Sequence, residues 1–116
     1  MRKAFLALCA ISPFCGPVTA AAFTTGNELL RDCEPTNALS LHCLGYINGF
    51  RLGFGFVMNR WQIEPKEMCI PDGVTNGQIR DVVLQYIREN PQTSHESSQF
   101  LILWSLSKAF PCGSRR

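Results

Sequence analysis

The stretch CIPDGVTNGQIRDVVLQYIRENP, residues 69–91, contains the most complete helix signals in the chain. Thr75 and Gln78 have the spacing of a capping box, which begins a helix, and Pro91 stops the helix after Asn90. Between these limits, apolar residues recur every three or four positions and therefore share one helix face: Ile79, Val82, Val83, Tyr86 and Ile87. The stretch predicts an amphipathic helix with a single buried face.

A second helix is predicted directly downstream. Thr93 and Glu96 repeat the capping-box spacing, so we expect this helix to begin at Thr93 and to end before Pro111. Its apolar residues lie on several sides, which predicts burial in the middle of the domain or on a dimer interface: Phe100, Leu101, Leu103, Trp104 and Phe110. The short connection at residues 90–91 makes the two helices antiparallel neighbours.

Two more helices are predicted upstream. Thr25 and Glu28 form a third capping box for a short helix that ends near Cys33, and Asn37 can cap a long helix over residues 38–60. The long helix carries an apolar stripe at helical spacing: Tyr46, Phe50, Phe54, Val57 and Trp61. Because no strand-like alternation of any length is present, we predict an all-α fold, a small bundle of four to five helices.

The long helix also contains a glycine strip, Gly45, Gly49 and Gly53, whose members lie four residues apart. Each glycine in a helix interior costs about 1 kcal/mol against alanine. Close packing of another backbone on the strip would compensate for this cost, and we expect such packing. A helix break near Gly55 is the alternative.

The amino-terminal residues have the pattern of a secretory signal peptide. Arg2 and Lys3 precede a short apolar run over residues 4–11, and small residues up to Ala22 offer a cleavage site. A membrane-spanning helix needs about 20 apolar residues, many more than this run contains. We therefore predict a signal peptide over residues 1–22 and one exported domain over residues 23–116, with no membrane insertion after cleavage.

The four cysteines of residues 23–116 are Cys33, Cys43, Cys69 and Cys112. An even number of cysteines in a short exported chain indicates disulfides, here two. Cys69 precedes one helix of the antiparallel pair and Cys112 follows the other, so these two should meet at the same end of the pair. Cys33 and Cys43 are then left to form a local bridge between the first two helices.

Charge and motif content argue against several functions. Without Arg2 and Lys3, nine Lys/Arg balance nine Asp/Glu, so there is no basic surface for nucleic acid. The cysteines are too widely spaced for a zinc cluster, and none is left free to act as a nucleophile with His42 or His95 as its base. We predict no catalytic residue, no metal site and no cofactor.

The connection RENPQTSH, residues 88–95, is the best candidate for binding. It is polar and short, it is stiffened by Pro91, and it lies at the end of a disulfide-linked helix pair. A rigid turn favours recognition because little ordering is needed on binding. The alternative is an ordinary solvated turn with no binding role. Composition and spacing alone favour this alternative.

Four sequence blocks resemble, in order and with matching cysteines, the Tai/Rap-type immunity proteins: GNELL at residues 26–30, CLGYING at 43–49, CIPDGVTNGQ at 69–78 and AFPC at 109–112. Proteins of this family protect bacteria from type VI secretion amidase effectors. The resemblance implies a periplasmic, all-helical homodimer. Such a protein would bind a papain-like peptidoglycan amidase and occlude its active-site cleft.

The resemblance also implies where the effector would bind, because in this family a loop next to the third helix enters the effector's cleft. Carried onto this chain, the partner-binding residues are Gln85, Arg88, Asn90, Gln92, Thr93, Ser94 and His95. This chain differs from the family pattern directly after CLGYING. Family members often have an acidic residue there, whereas this chain has Phe50-Arg51. We expect the details of partner contact to differ accordingly.

The sequence is also compatible with two other functions. A small helical stress chaperone of the periplasm would also be a disulfide-held dimer, and it would expose apolar surface at low pH. An accessory subunit of an envelope complex is the second, and the glycine strip is the only hint of it.

Overall fold

The computed structural model describes residues 23–61 and 68–113. The helices of these residues are α1 (Gly26–Asp32), α2 (Ser40–Arg60), α3 (Asn76–Glu89) and α4 (Ser98–Ala109), with a short 3-10 turn at Pro91–Thr93. The described residues contain no strand, and a single isolated β-bridge joins Thr25 to Ser97. The all-α prediction is confirmed. The predicted signal peptide, residues 1–22, lies outside the described residues.

The core forms around α3, which contacts each of the other three helices. Ile79, Val83 and Ile87 are fully buried, as predicted, while Val82 and Tyr86 pack at the edge of the core. Leu84 is also buried, although the sequence placed it off the apolar face. It is buried because helices cover α3 on more than one side. Among the described residues, no helix has the length and hydropathy of a membrane span.

The capping boxes of α1 and α3 are confirmed. Thr25 Oγ1 accepts a hydrogen bond from the Glu28 amide at 3.4 Å, and the Glu28 carboxylate accepts one from the Thr25 amide at 3.0 Å. The same exchange joins Thr75 and Gln78, at 3.2 and 2.8 Å. Both boxes satisfy amide groups that have no partner within the helix.

The start of α4 differs from the prediction. The helix begins at Ser98 with Ser97 as its cap, and not at Thr93. A helix starting at Thr93 would need the Ser94 carbonyl to accept from the Ser98 amide. Instead, the Ser94 carbonyl accepts from the Asn27 amide at 2.8 Å, and the Ser98 amide donates to the Thr24 carbonyl at 2.9 Å. Contacts with the start of the domain therefore keep this segment out of the helix.

The start of α2 also differs, since the helix begins at Ser40 and its cap is Leu39. The Asn37 side chain accepts a hydrogen bond from the Leu39 amide at 2.9 Å and donates one to the Arg31 carbonyl at 3.0 Å. Asn37 thus closes the turn between α1 and α2 instead of capping α2. The helix then runs without a break to Arg60, so the alternative of a break near Gly55 is wrong.

The glycine strip has no packing partner among the described residues. A Cβ atom built on Gly45, Gly49 or Gly53 would meet no atom of another element within 4 Å. We expected another backbone to pack on the strip, and none from residues 23–61 or 68–113 does. The physical reason is the helical period, which turns the strip away from the buried residues Cys43 and Ile47.

Both predicted disulfides are present. Cys33 is bonded to Cys43, with Cα atoms 5.3 Å apart, and both residues are fully buried. Cys69 is bonded to Cys112, with Cα atoms 4.8 Å apart. The Cys69 amide also donates to the Phe110 carbonyl at 2.8 Å. The bridge and this hydrogen bond close the α3–α4 pair at the end opposite the 3-10 turn.

We predict that each disulfide contributes strongly to stability. The bridges close segments of 43 and 10 residues, so by loop entropy their removal costs about 4 and about 3 kcal/mol, respectively. Urea unfolding of Cys69→Ala/Cys112→Ala and Cys33→Ala/Cys43→Ala measures both losses. A loss below about 1 kcal/mol for either pair would contradict the prediction.

Candidate functional site

The candidate site is the turn between α3 and α4, residues 90–95, which we call the tip. Pro91–Thr93 form its 3-10 turn. The Thr93 amide donates to the Asn90 carbonyl at 3.0 Å, and the Ser94 amide donates to the Pro91 carbonyl at 3.3 Å. These short-range bonds give the tip a defined shape without a partner.

The predicted partner-binding residues of the tip divide into two groups. Asn90, Thr93 and Ser94 bond nearby backbone carbonyls through their side chains, at 2.8, 3.0 and 2.8 Å. These residues are half-buried or tied to the turn, so they shape the tip. Gln92 and His95 are exposed, and the His95 side chain is 72% accessible. These two side chains are therefore available to a partner.

The remaining predicted residues lie on the last turns of α3. Gln85 donates to the Glu89 carboxylate at 2.8 Å, and both are exposed. Arg88 forms an ion pair with Glu34, which connects α3 to the turn between α1 and α2. Gln85 also lines a shallow groove of about 360 Å³ between α3 and α4, next to the tip. The structure thus brings the predicted residues together at one end of the bundle.

The first described residues of the chain pack against the start of α4, directly after the tip. Phe23, Thr24 and Thr25, which we call the strap, run along the start of α4. The Phe23 side chain is 4% exposed, and its ring lies 5.2 Å from that of Tyr46. Ser98 bonds to the strap twice, because its hydroxyl donates to the Phe23 carbonyl and its amide to the Thr24 carbonyl.

The start of α1 is bonded directly to the tip region. The Asn27 amide donates to the Ser94 carbonyl at 2.8 Å, and the Gly26 amide donates to the Glu96 carbonyl at 3.2 Å. The first amides of a helix have no partner within it, so they are available for such bonds. A Cβ atom on Gly26 would lie 2.4 Å from Leu101 and 2.9 Å from the Ser94 carbonyl oxygen. Only glycine allows this approach.

Glu28 connects the strap to α1. Its carboxylate accepts hydrogen bonds from the Thr24 hydroxyl, the Thr24 amide and the Thr25 amide, at 2.7, 2.7 and 3.0 Å. The bond from the Thr24 hydroxyl, followed by the two backbone bonds, holds the pKa of Glu28 below its ordinary value of 4.5. The ionised carboxylate therefore stabilises the strap.

Sequence reasoning missed the strap and Gly26 as parts of the site. Phe23 directly follows the run of small residues that predicted a cleavage site, and Gly26 directly follows a capping threonine. Neither position carries a local signal of contact with residues 94–98. Within residues 23–61 and 68–113, no three His, Cys, Asp or Glu side chains are grouped so that they could hold a metal ion.

Comparison with known proteins identifies one family. A family model described as Rap1a immunity proteins matches residues 25–112. The matched range begins at the cap of α1 and ends at the last disulfide-bonded cysteine, so it contains α1 to α4 and the tip. No curated protein and no solved structure matches the chain significantly.

We predict that Gly26→Ala destabilises the domain by about 1–3 kcal/mol, because the added methyl group overlaps Leu101 and the Ser94 carbonyl. Gly77→Ala is the matched control, since its Cβ would meet only Thr75 Oγ1, at 3.9 Å. Urea unfolding compares the two variants, and hydrogen exchange of the Asn27 amide reports on its bond to the tip. Equal stability of the two variants would refute the close contact.

Stability is also predicted to depend on the ionisation of Glu28. Because the folded pKa is depressed, this contribution is fully present above the unfolded pKa of 4.5. It is lost as the pH falls through the lower, folded pKa. Thermal unfolding between pH 7 and about pH 3 should show Glu28→Gln to be less stable than the wild type at neutral pH, with the gap closing in acid. A gap independent of pH would count against this role.

Proposed function

This chain belongs to the Rap1a immunity protein family, and we propose that it binds and occludes the active site of a type VI secretion peptidoglycan amidase effector. Bound in this way, it would protect the producing cell from its own toxin. The observation that carries the proposal is the family match over residues 25–112, which spans the whole helical domain. Membership in an immunity family supports binding to a cognate effector protein and a non-enzymatic, inhibitory role.

The proposed place of action is the periplasm. An amidase that cleaves peptidoglycan acts outside the cytoplasmic membrane, so its inhibitor is needed there. The two disulfides fit an exported protein, because they persist in oxidising compartments. We propose that residues 1–22 are a signal peptide, and that residues 23–116 are the mature domain.

The proposed mechanism is insertion of the tip into the catalytic cleft of the effector. The tip is held by its own turn, by α1 and by the strap, so little conformational entropy is lost on binding. Gln92 and His95 would contact the cleft, with Gln85 and Arg88 beside it on α3. Asn90, Thr93 and Ser94 would act by keeping the shape of the turn. The resemblance to Tai/Rap-type proteins also supports a homodimer, which we include in the proposal.

We predict that the exposed tip residues account for much of the affinity for the effector. The double variant Gln92→Ala/His95→Ala is expected to weaken binding by roughly 30-fold or more, as replacement of central interface residues does. Isothermal titration with the amidase effector encoded beside the gene measures the affinity. Survival of cells that express the effector in the periplasm measures protection.

Asp72→Ala is the control for this experiment. Asp72 is exposed in the turn before α3, and the 14 residues of α3 separate that turn from the tip, about 21 Å along the helix. The control should bind and protect as the wild type does. Absence of a complex between the wild-type protein and the effector, together with unrelieved toxicity, would overturn the proposed function. Wild-type affinity of the double variant would overturn the role of the tip.

A further inference from the structure

A chain of hydrogen bonds joins α2 and α4 to the strap, directly beside the tip. Gln99 Nε2 donates to the Tyr46 hydroxyl at 2.7 Å, and this hydroxyl lies 2.7 Å from Ser98 Oγ. The Ser98 hydroxyl in turn donates to the Phe23 carbonyl. These four residues, which we call the relay, come from three parts of the chain. Tyr46 belongs to the CLGYING block and lies outside the tip.

The two ends of the relay give it a single direction. An amide N–H can only donate and a carbonyl oxygen can only accept, whereas a hydroxyl can do both. Because the Ser98 hydroxyl donates its one proton to the Phe23 carbonyl, the Tyr46 hydroxyl donates to Ser98 Oγ. Each hydroxyl thus accepts one bond and donates one, and the bonds of such a chain strengthen each other. Loss of either hydroxyl therefore interrupts the whole relay.

Tyr46 is held in place from two sides. Its ring lies 5.2 Å from the buried Phe23 ring at an angle of 55°, within the range in which aromatic rings attract each other. Three residues earlier in α2, the buried Cys43 is bonded to Cys33. The Tyr46 hydroxyl is therefore presented to Ser98 from a part of α2 that is covalently fixed.

The start of the described chain and the residues after the tip form a short antiparallel pair. Three backbone hydrogen bonds join the two segments, from Asn27 to Ser94, from Gly26 to Glu96 and from Ser98 to Thr24. The first of these bonds fixes a carbonyl of the tip itself. The relay connects the opposite end of the pair to α2 through Ser98. Among the described residues, no other hydrogen bond connects this pair to α2.

We propose that the Tyr46 hydroxyl is a positioning group for the tip, acting through Ser98 and the strap. It holds the strap against the residues after the tip, so that the tip keeps the shape that the effector meets. Loss of the hydroxyl lowers the fraction of molecules with that shape, and the apparent affinity falls in proportion. The inference rests on the proposed binding of an effector at the tip, and Tyr46 itself need not touch the effector.

The test compares Tyr46→Phe with the wild type in binding to the amidase effector encoded beside the gene. Surface plasmon resonance on the mature, disulfide-bonded protein measures both rate constants. Phenylalanine keeps the ring that packs on Phe23 and removes only the hydroxyl. The association rate constant should fall about 3- to 10-fold, the contribution of one hydrogen bond, while the dissociation rate constant stays within about twofold. Loss of a direct contact with the effector would instead raise the dissociation rate constant.

Hydrogen exchange of the protein alone gives a second readout that needs no effector. The amides of Asn27 and Ser98 should exchange about 3- to 10-fold faster in Tyr46→Phe, because opening of the strap exposes both. The amide of the buried Val83, in the middle of α3, should exchange as in the wild type. A general loss of stability would speed exchange at Val83 as well, so this comparison separates positioning of the tip from stability of the fold.

Ser105→Ala is the matched control. Ser105 is a buried serine about two turns further along α4, and its hydroxyl bonds to the Ile102 carbonyl of its own helix at 3.0 Å. This change should leave the association rate constant and the exchange of the strap as they are. Ser98→Ala interrupts the same relay as Tyr46→Phe, so the effects of these two changes should not add in the double variant.

Wild-type association and exchange in Tyr46→Phe would overturn the inference, and so would additive effects of Tyr46→Phe and Ser98→Ala. If Ser98→Ala does not fold, the single variant Tyr46→Phe decides. If the wild type forms no complex with the effector, the proposed function fails. The exchange rates of Asn27 and Ser98 then decide alone whether the relay holds the tip, and unchanged rates would overturn that role too.

Discussion

The Cys69–Cys112 disulfide joins the segment before α3 to the segment after α4. The rest of the structure depends on this covalent link between the two ends of the helix pair. The core of the described residues has few fully buried side chains, and a domain of this size buries too little surface to be very stable by packing alone. The cross-link holds the α3–α4 pair together at one end. The other end can then consist of short turns held by hydrogen bonds, which is where the tip lies.

Features that depend on neighbours in sequence were predictable. The capping boxes of α1 and α3 use a threonine and the residue three positions later, so the spacing alone identifies them. The disulfide pairing followed from two antiparallel helices and the positions of the cysteines at their ends. The position of the tip at the turn after α3 was predictable for the same reason. The residues of the tip that the resemblance assigns to partner contact stay a prediction.

Features that depend on distant parts of the chain were not predictable. Thr93 and Glu96 have the spacing of a capping box, but the Ser94 and Glu96 carbonyls bond to the start of α1, and α4 begins later. The glycine strip showed where side chains are missing, but not that no other described element approaches it. The burial of Phe23 depends on Tyr46 and Ser98, which are far from it in sequence.

The strap also has a consequence for the order of events in biogenesis. Phe23 is buried and its carbonyl is bonded to Ser98, so the described part of the chain is already packed in the core at its first residue. A protease that removes a leader needs several residues on both sides of the scissile bond in an extended form. The proposed removal of residues 1–22 would therefore have to come before Phe23 packs against Tyr46 and Ser98. In that order of events, the packing of Phe23 would follow export and cleavage.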